Sequence, residues 1–414
     1  MVRRGTRNHT CTTYVVLGTR NHKCILLCLM RFTFLSLLLE ISGDEQCDSQ
    51  NGRFEVYSTQ YAFMAFDRDT GKAHCWGDVH FGGDCSGLRL SSSARIYSNA
   101  LAFLALDPTE GKGTCWGNKG YGGDCEHVDF SGVTDVYGTL MAFVALNRKT
   151  GDAQCWGDQS RGGNCTGIDF HGSIEVFSTG EAFLALNFES GSAQCWGQSA
   201  MGGDCSDLDF SGVSDVFSNA AAFFALNPQR GVGMCIGHEK SGGVCHDVDF
   251  AHVKTARATQ YAFMAWSNVT GLASCWGDEE YGGACTNATI SSASSVHSNH
   301  HAFVILDRLS GSCQCWGMKF AGGDCTGISC KEVDRVYSAA SAFVAVSKSG
   351  EAQCWGNADF GGACPGLALS SSSQVQGNLL AFAAIDKVSG ALTCWGDKLY
   401  GGDCPHSPFP LEDQ

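Results

Sequence analysis

Cys75-Trp76-Gly77-Asp78-Val79-His80-Phe81-Gly82-Gly83-Asp84-Cys85 is the stretch on which the reading of this chain turns. Its skeleton is Cys-Trp-Gly, four free residues, Gly-Gly, one more residue, Cys. The skeleton returns with its first cysteine at Cys115, Cys155, Cys195, Cys235, Cys275, Cys315, Cys354 and Cys394, with Ile236 in place of the tryptophan in the fifth copy. The step is forty residues, shortened once to thirty-nine. A fixed period near forty marks a repeat architecture, whose units bury their apolar faces only by stacking on one another. Nine such units make a scaffold, which presents a surface rather than one catalytic cleft.

Working outward from the first copy, residues 56–58 begin a short strand. Residues 62–66 (Ala-Phe-Met-Ala-Phe) are a continuous apolar run, as expected of a strand buried on both faces. Residues 67–71 carry turn chemistry ending in a glycine able to take positive φ. Residues 73–76 form the next strand, 78–83 a second turn, and a weaker strand near 88–90 would complete a four-stranded unit. The Ala-Phe pair recurs in every copy, and the one-residue deletion falls at Ser347-Lys348-Ser349-Gly350, where a hairpin tip tolerates it. Short strands, regular turns and no segment of helical period predict an all-β fold. Radial stacking covers both faces of each small sheet, so a β-propeller of about nine four-stranded units is expected, with an open ring or a β-solenoid as the alternative.

Composition narrows the function classes. The chain has 414 residues and a formal charge of −15. Its first 43 residues hold Arg3, Arg4, Arg7, Arg20, Lys23 and Arg31 against Glu40 alone, so the rest carries 21 basic and 41 acidic residues, a charge of −20. Such a body repels phosphate backbones, and nucleic acid is excluded as a partner. Residues 24–41 are mostly apolar, broken by Arg31, basic residues precede them, and Ile41-Ser42-Gly43 suits cleavage, which reads as a signal peptide. Translation from Met30 would give a more compact signal, and an uncleaved membrane anchor is the alternative. The expected division is 1–43 signal with or without a spurious upstream segment, 44–53 linker, 54–404 the nine-repeat body and 405–414 a tail.

Trp-Gly-x4-Gly, preceded by an Ala-Phe-x-Ala-Leu-like strand and a glycine-bearing hairpin, resembles the repeats of the regulator of chromosome condensation family. A bacterial β-lactamase inhibitor protein with shorter repeats shares that propeller type. The resemblance covers all nine units and implies a β-propeller. It departs from the family in two ways. The usual Gly-Gln-Leu-Gly is here Gly-Gly-Asp-Cys or a variant, and nine units replace the usual seven, making a divergent, cysteine-containing form. The nucleotide-exchange and chromatin-binding roles of the family's best-known member do not carry over.

Eighteen of the 24 cysteines form pairs at i and i+10: Cys75 with Cys85, Cys115 with Cys125, Cys155 with Cys165, Cys195 with Cys205, Cys235 with Cys245, Cys275 with Cys285, Cys315 with Cys325, Cys354 with Cys364, and Cys394 with Cys404. The spacing brackets a turn, so each pair could face across a hairpin at the separation a disulfide needs. Closing a ten-residue loop is worth about 2.5–3 kcal/mol in the chain-entropy model. Free core thiols are the bland alternative, and zinc lacks its usual Cys-x2–4-Cys knuckles. Cys313 and Cys330 could form an extra bridge. Cys11, Cys24 and Cys28 would leave with the leader, and Cys47 would remain unpaired. Of three body sequons, Asn268 and Asn287 are the glycosylation candidates, while Asn164 sits awkwardly beside Cys165.

No nucleophile–base pair, phosphate loop or metal cluster stands out, so no enzyme, cofactor or metal is expected. His300-His301, the adjacent histidines of the body, read as a solvated loop. Asp84, Asp124, Asp204, Asp324 and Asp403 after the Gly-Gly suit turn-bonding better than calcium. The four-residue tip between Trp-Gly and Gly-Gly varies most. Its last position carries Phe81, Tyr121, Arg161, Met201, Tyr281, Phe360 and Tyr400, types that dominate binding hot spots. The competing reading is that these side chains fold back to seal the Gly-Gly edge. The recurrent tryptophans are expected to pack between units. Together these readings describe a secreted, disulfide-stapled scaffold that binds a protein through its variable tips. An extracellular lectin and an intracellular propeller adaptor are the alternatives, with membrane contact only through an uncleaved leader.

Overall fold

The structure is a computed structural model that describes residues 14–20, 23–28, 53–404 except 173, 286, 287, 292 and 293, and Phe409. The chain divides into two compact units, Met1–Asn51 and Gly52–Gln414. In the first, strands Tyr14–Arg20 and Lys23–Cys28 pair antiparallel. Most of residues 1–43, with Cys11, and Cys47, Asn287 and nearly all of residues 405–414 lie outside the described residues.

The second unit is all-β, made of nine separate three-stranded antiparallel sheets in chain order. In the first, an inner strand Phe54–Ser58, a middle strand Ala62–Asp67 and an outer strand Ala73–Gly77 pair in sequence, with Val56 opposite Ala65 and Phe63 opposite Trp76. The apolar run is buried as expected: Ala62, Phe63, Met64, Ala65 and Phe66 are wholly covered. A sheet with both faces apolar must be sandwiched, and nine hydrophobic clusters fill the spaces between consecutive sheets. One of them joins Phe54, Val56 and Trp76 of the first sheet to Ala381, Ala383 and Ile385 of the ninth. The sheets pack face to face without merging into one continuous barrel, and the ninth rests on the first.

The eighth unit places its deletion as expected. Gly71 N–H bonds Asp67 O at 2.8 Å, four residues back, whereas Gly350 N–H bonds Ser347 O at 2.9 Å, three residues back. The ladder beside it is undisturbed, with Phe343 still opposite Trp355.

The expected fourth strand is a correction. Beyond the second turn the chain bends (Leu88 N–H to Cys85 O, 3.1 Å) and makes only isolated bridges, Leu272 with Thr289 and Glu351 with Ala368. The segment instead drops one apolar side chain into the space ahead: Phe130, Phe170, Phe210 and Phe250 are buried there, and Phe409 does the same between the ninth and first sheets.

The nine i, i+10 pairs are disulfides with Cα–Cα separations from 5.5 Å at Cys75–Cys85 to 5.9 Å at Cys235–Cys245. They join a strand to a loop rather than two strands across a ladder. Cys313–Cys330 is a tenth bridge. It occupies the position where Phe130 fills its own gap, so the seventh unit replaces an apolar plug with a covalent one.

The tryptophans lie between sheets. Trp116 stacks on Phe103 at 5.1 Å and donates its indole N–H to Gly82 O of the preceding unit at 3.3 Å. Trp76 makes the same bond to Gly401 O at 3.1 Å, spanning 325 residues. Gly82 sits at φ 104°, and a Cβ there would lie 2.6 Å from Phe103 of the next unit. The skeleton residues Trp and Gly-Gly are therefore joined across units, which explains why they recur together.

Candidate functional site

Two loops of each unit meet at one end of its sheet: the turn from inner to middle strand, and the variable tip after the outer strand. The tip is a single 3-10 turn in the first unit. Asp78 caps it by accepting from His80 N–H at 2.8 Å, and Gly82 closes it in the left-handed region. Its last carbonyl is tied down by the neighbouring loop: Thr59 Oγ1 donates to Phe81 O at 2.9 Å, Asn99 Nδ2 to Tyr121 O at 2.7 Å, and Thr259 Oγ1 to Tyr281 O at 2.7 Å. In eight of the nine units a Thr or Asn of the inner-to-middle turn holds the last tip carbonyl in this way, and the eighth has Ala339 at that position. The tip side chains are free to differ.

Phe81, Tyr121, Arg161, Met201, Tyr281, Phe360 and Tyr400 are all half-buried on this rim. The next unit's phenylalanine and tryptophan cover the Gly-Gly edge, as Phe103 and Trp116 do at Gly82. Phe81, Arg161, Tyr281 and Tyr400 lie against the residue that precedes an Ala-Phe pair, a position the sequence reading passed over. Tyr61 packs 4.9 Å from Phe81 and 5.5 Å from Tyr400 of the ninth unit. Tyr281 lies 4.8 Å from Tyr261 and 5.3 Å from His301 of the seventh unit, and His301 lies 6.3 Å from Phe320, which is 60% exposed. Burial, with the charges of Tyr261, Asp278 and Glu280, raises the Tyr281 phenol above its ordinary range, so it stays a neutral donor. Elsewhere Arg161 spans Asp158 (2.8 Å) and Glu181 (3.1 Å). The rim thus has aromatic stretches and a charged stretch. The signal for the missed position was present: Tyr61, Leu101, Met141, Glu181, Ala221, Tyr261, His301, Ser341 and Leu380 vary as freely as the tips.

Inside the rim, the inner-to-middle turns surround a central cavity of about 580 Å³. Backbone hydrogen bonds link neighbouring units around its mouth at every junction but that between the second and third, among them Gln60 N–H to Ala100 O (2.8 Å), Gln260 N–H to His300 O (2.8 Å), and Leu379 N–H back to Gln60 O (3.1 Å). His300 and His301 are therefore not a solvated loop. His301 Nδ1 lies 2.8 Å from Ala340 O, and His300 borders the cavity. Burial, reinforced by the charge of His301, pushes the His300 imidazole down to about 4. Part of its surface opens on the cavity while its other sides are closely packed.

Asp84, Asp204 and Asp324 accept from the backbone N–H two residues on, at 2.8, 3.2 and 2.9 Å, as turn-bonding predicts. Among the described residues no group of three or more His, Cys, Asp or Glu is placed to hold a metal. Asn268 and Asn164 are both exposed, Asn268 in the hairpin turn of the sixth unit. Among the described residues no helix is long and apolar enough to cross a membrane.

No family model matches the chain. No curated protein matches it either. Solved structures similar to it include the entire ectodomain of the Physcomitrella patens receptor kinase CR4, 17% identical with a TM-score of 0.41, covering 64% of this chain and 72% of that one. Another is the CRINKLY WD40 ectodomain of the Arabidopsis thaliana receptor kinase ACR4, 16% identical with a TM-score of 0.38, covering 62% and 90%. A third is Prp20p of Saccharomyces cerevisiae, described with its binding to Gsp1p and histones, 14% identical with a TM-score of 0.36, covering 69% and 79%. The resemblance read from the repeats stands as a propeller-like repeat fold. That fold follows from the sheets and the spaces between them.

Proposed function

We propose that the body is a nine-bladed propeller ring, secreted and stapled by its disulfides, that binds a protein partner through the tip rim. The observation that carries this reading is the fixed tip backbone bearing free side chains. Tyr61, Phe81 and Tyr400 meet on one stretch of rim, and Tyr261, Tyr281, His301 and Phe320 on another. Half-exposed aromatic groups held on a rigid frame lose little entropy on binding, which is what hot-spot residues require. Ten disulfides among the described residues support an oxidising compartment, since thiols inside the cytosol are kept reduced. The ring reading is supported by the cluster and the indole bond between the ninth and first sheets. The protein acts by binding rather than by catalysis, and its charge of −15 turns it away from nucleic acid.

The test is an arrayed set of extracellular protein domains probed with the wild-type protein and with a Tyr281→Ala/Phe320→Ala/Tyr400→Ala variant. A partner bound by the wild type and lost by the variant is the expected result. Equal binding by both would move the site off this rim.

A further inference from the structure

The central cavity is distinct from the rim in chemistry. Its wall carries hydroxyls from the ends of the inner strands, including Ser98, Ser218, Ser298 and Ser338, and none of its lining residues is Asp, Glu, Lys or Arg. Some of these hydroxyls are already engaged, as Ser58 Oγ is with Gly377 O at 3.1 Å.

The mouth is lopsided. Units two to five supply Ala100, Leu140, Gly180 and Ala220, whereas units six, seven and one supply Gln260, His300 and Gln60. Gln260 and His300 are joined through their backbones. The side chains of all three polar residues lack a hydrogen-bond partner among the described residues, and all three residues are half-buried at the cavity mouth. Their backbone groups already make the bonds between units, so those bonds do not require these side chains. The half-buried His300 imidazole at this uncharged mouth keeps ring nitrogens open to a hydrogen-bonding ligand. The cavity volume falls within the range of small-molecule sites, about 300–1,000 Å³.

We infer that the cavity binds a neutral carbohydrate, with its hydroxyls meeting His300, Gln260 and Gln60 and its C–H face resting on Leu140 and the small residues beside it. A sugar offers both surfaces on one ring. The uncharged wall gives an anionic sugar no counter-charge, so discrimination against carboxylate-bearing sugars follows.

The test uses the full chain with glucose, galactose, mannose, N-acetylglucosamine and lactose as probes and glucuronate as the anionic control, read by saturation-transfer NMR and calorimetry. At least one neutral probe is expected to bind with millimolar or tighter affinity. His300→Ala and, separately, the cavity-filling Ala220→Leu each weaken it at least about tenfold. The Tyr281→Ala/Phe320→Ala/Tyr400→Ala rim variant leaves it unchanged, which separates this site from the protein-binding rim. Thermal melts show that the variants remain folded. No binding of any neutral probe, undiminished binding by both cavity variants, or preference for glucuronate would each overturn the inference.

Discussion

The two ends of each sheet have been put to different uses. At the hairpin end, the residue that closes the middle strand holds its own turn: Asp67 accepts from Asp69 N–H at 2.9 Å and from Thr70 Oγ1 at 2.9 Å, Asp107 from Thr109 N–H at 2.8 Å, and Asp386 from Val388 N–H at 3.0 Å. The side chain that could vary is tied to the fold, and the position stays Asp or Asn in seven of the nine units. At the tip end, the cap, the left-handed glycine and the neighbouring Thr or Asn do that work. The last tip residue is then free to be Phe, Tyr, Arg or Met. Variation in a repeat protein therefore marks where the fold has no demand, and the tip end is where function can be written.

That contrast can be broken in several ways. The largest effect comes from reduction. All nine i, i+10 bridges anchor the loop after the tip, and none touches the hairpin turn. Reduction should raise amide exchange across residues 78–88 far more than across 67–72, because each closure contributes about 2.5–3 kcal/mol in the entropy model. Equal exchange at both ends would show that the bridges do not support the tip end.

Next in size is Trp156→Ala. It removes the stacking on Phe143 at 5.2 Å and the bond to Gly122 O at 3.1 Å. A buried Trp→Ala change costs about 3–5 kcal/mol, measurable by denaturant unfolding. The fifth unit is a natural comparison, since Ile236 makes no such bond and Gly202 O receives no indole. Ile236→Trp should stabilise by a smaller margin.

Asp67→Asn tests the hairpin end. Arg53 also grips this carboxylate, at 3.0 and 2.8 Å. Burial alone would raise its pKa, but the hydrogen bonds from Arg53, Asp69 and Thr70 outweigh it and hold the group at about 2. Because the folded value lies below the unfolded one, the stabilisation is complete above pH 4 and is lost as pH falls toward 2. The variant should cost about 1–3 kcal/mol at neutral pH, with the gap from wild type closing over that acid window. A gap that persists at pH 2 would contradict the assignment. The smallest effect is expected for Tyr281→Ala, which should change stability by no more than about 1 kcal/mol.

Much of this was legible in the sequence because the repeat is local. The apolar run at 62–66, the turn that absorbs the deletion and the ten-residue cysteine spacing each involve neighbours a few residues apart. What the sequence hid lies between units. The indole of Trp76 finds its acceptor 325 residues away, and Phe409 fills a space opened by the first strand. The loop after Cys85 looks like a strand because Leu88 and Leu90 alternate with Arg89, but both are only half-buried and serve to fill the gap to the next sheet rather than to pair in a ladder. Tyr61 and His301 were overlooked because they adjoin the constant Ala-Phe pair, and only packing shows that they belong to the rim.

The central claim is that recognition resides at the tip end. The most direct measurement is the affinity of the bound partner for three proteins: wild type, the Tyr281→Ala/Phe320→Ala/Tyr400→Ala variant, and a hairpin-end control replacing the exposed Val269, Leu309 and Val388 with serine. The account predicts a loss of about a hundredfold or more for the tip variant and less than about twofold for the control. A loss in the hairpin control with the tip variant unaffected would place the binding surface on the opposite end and contradict it.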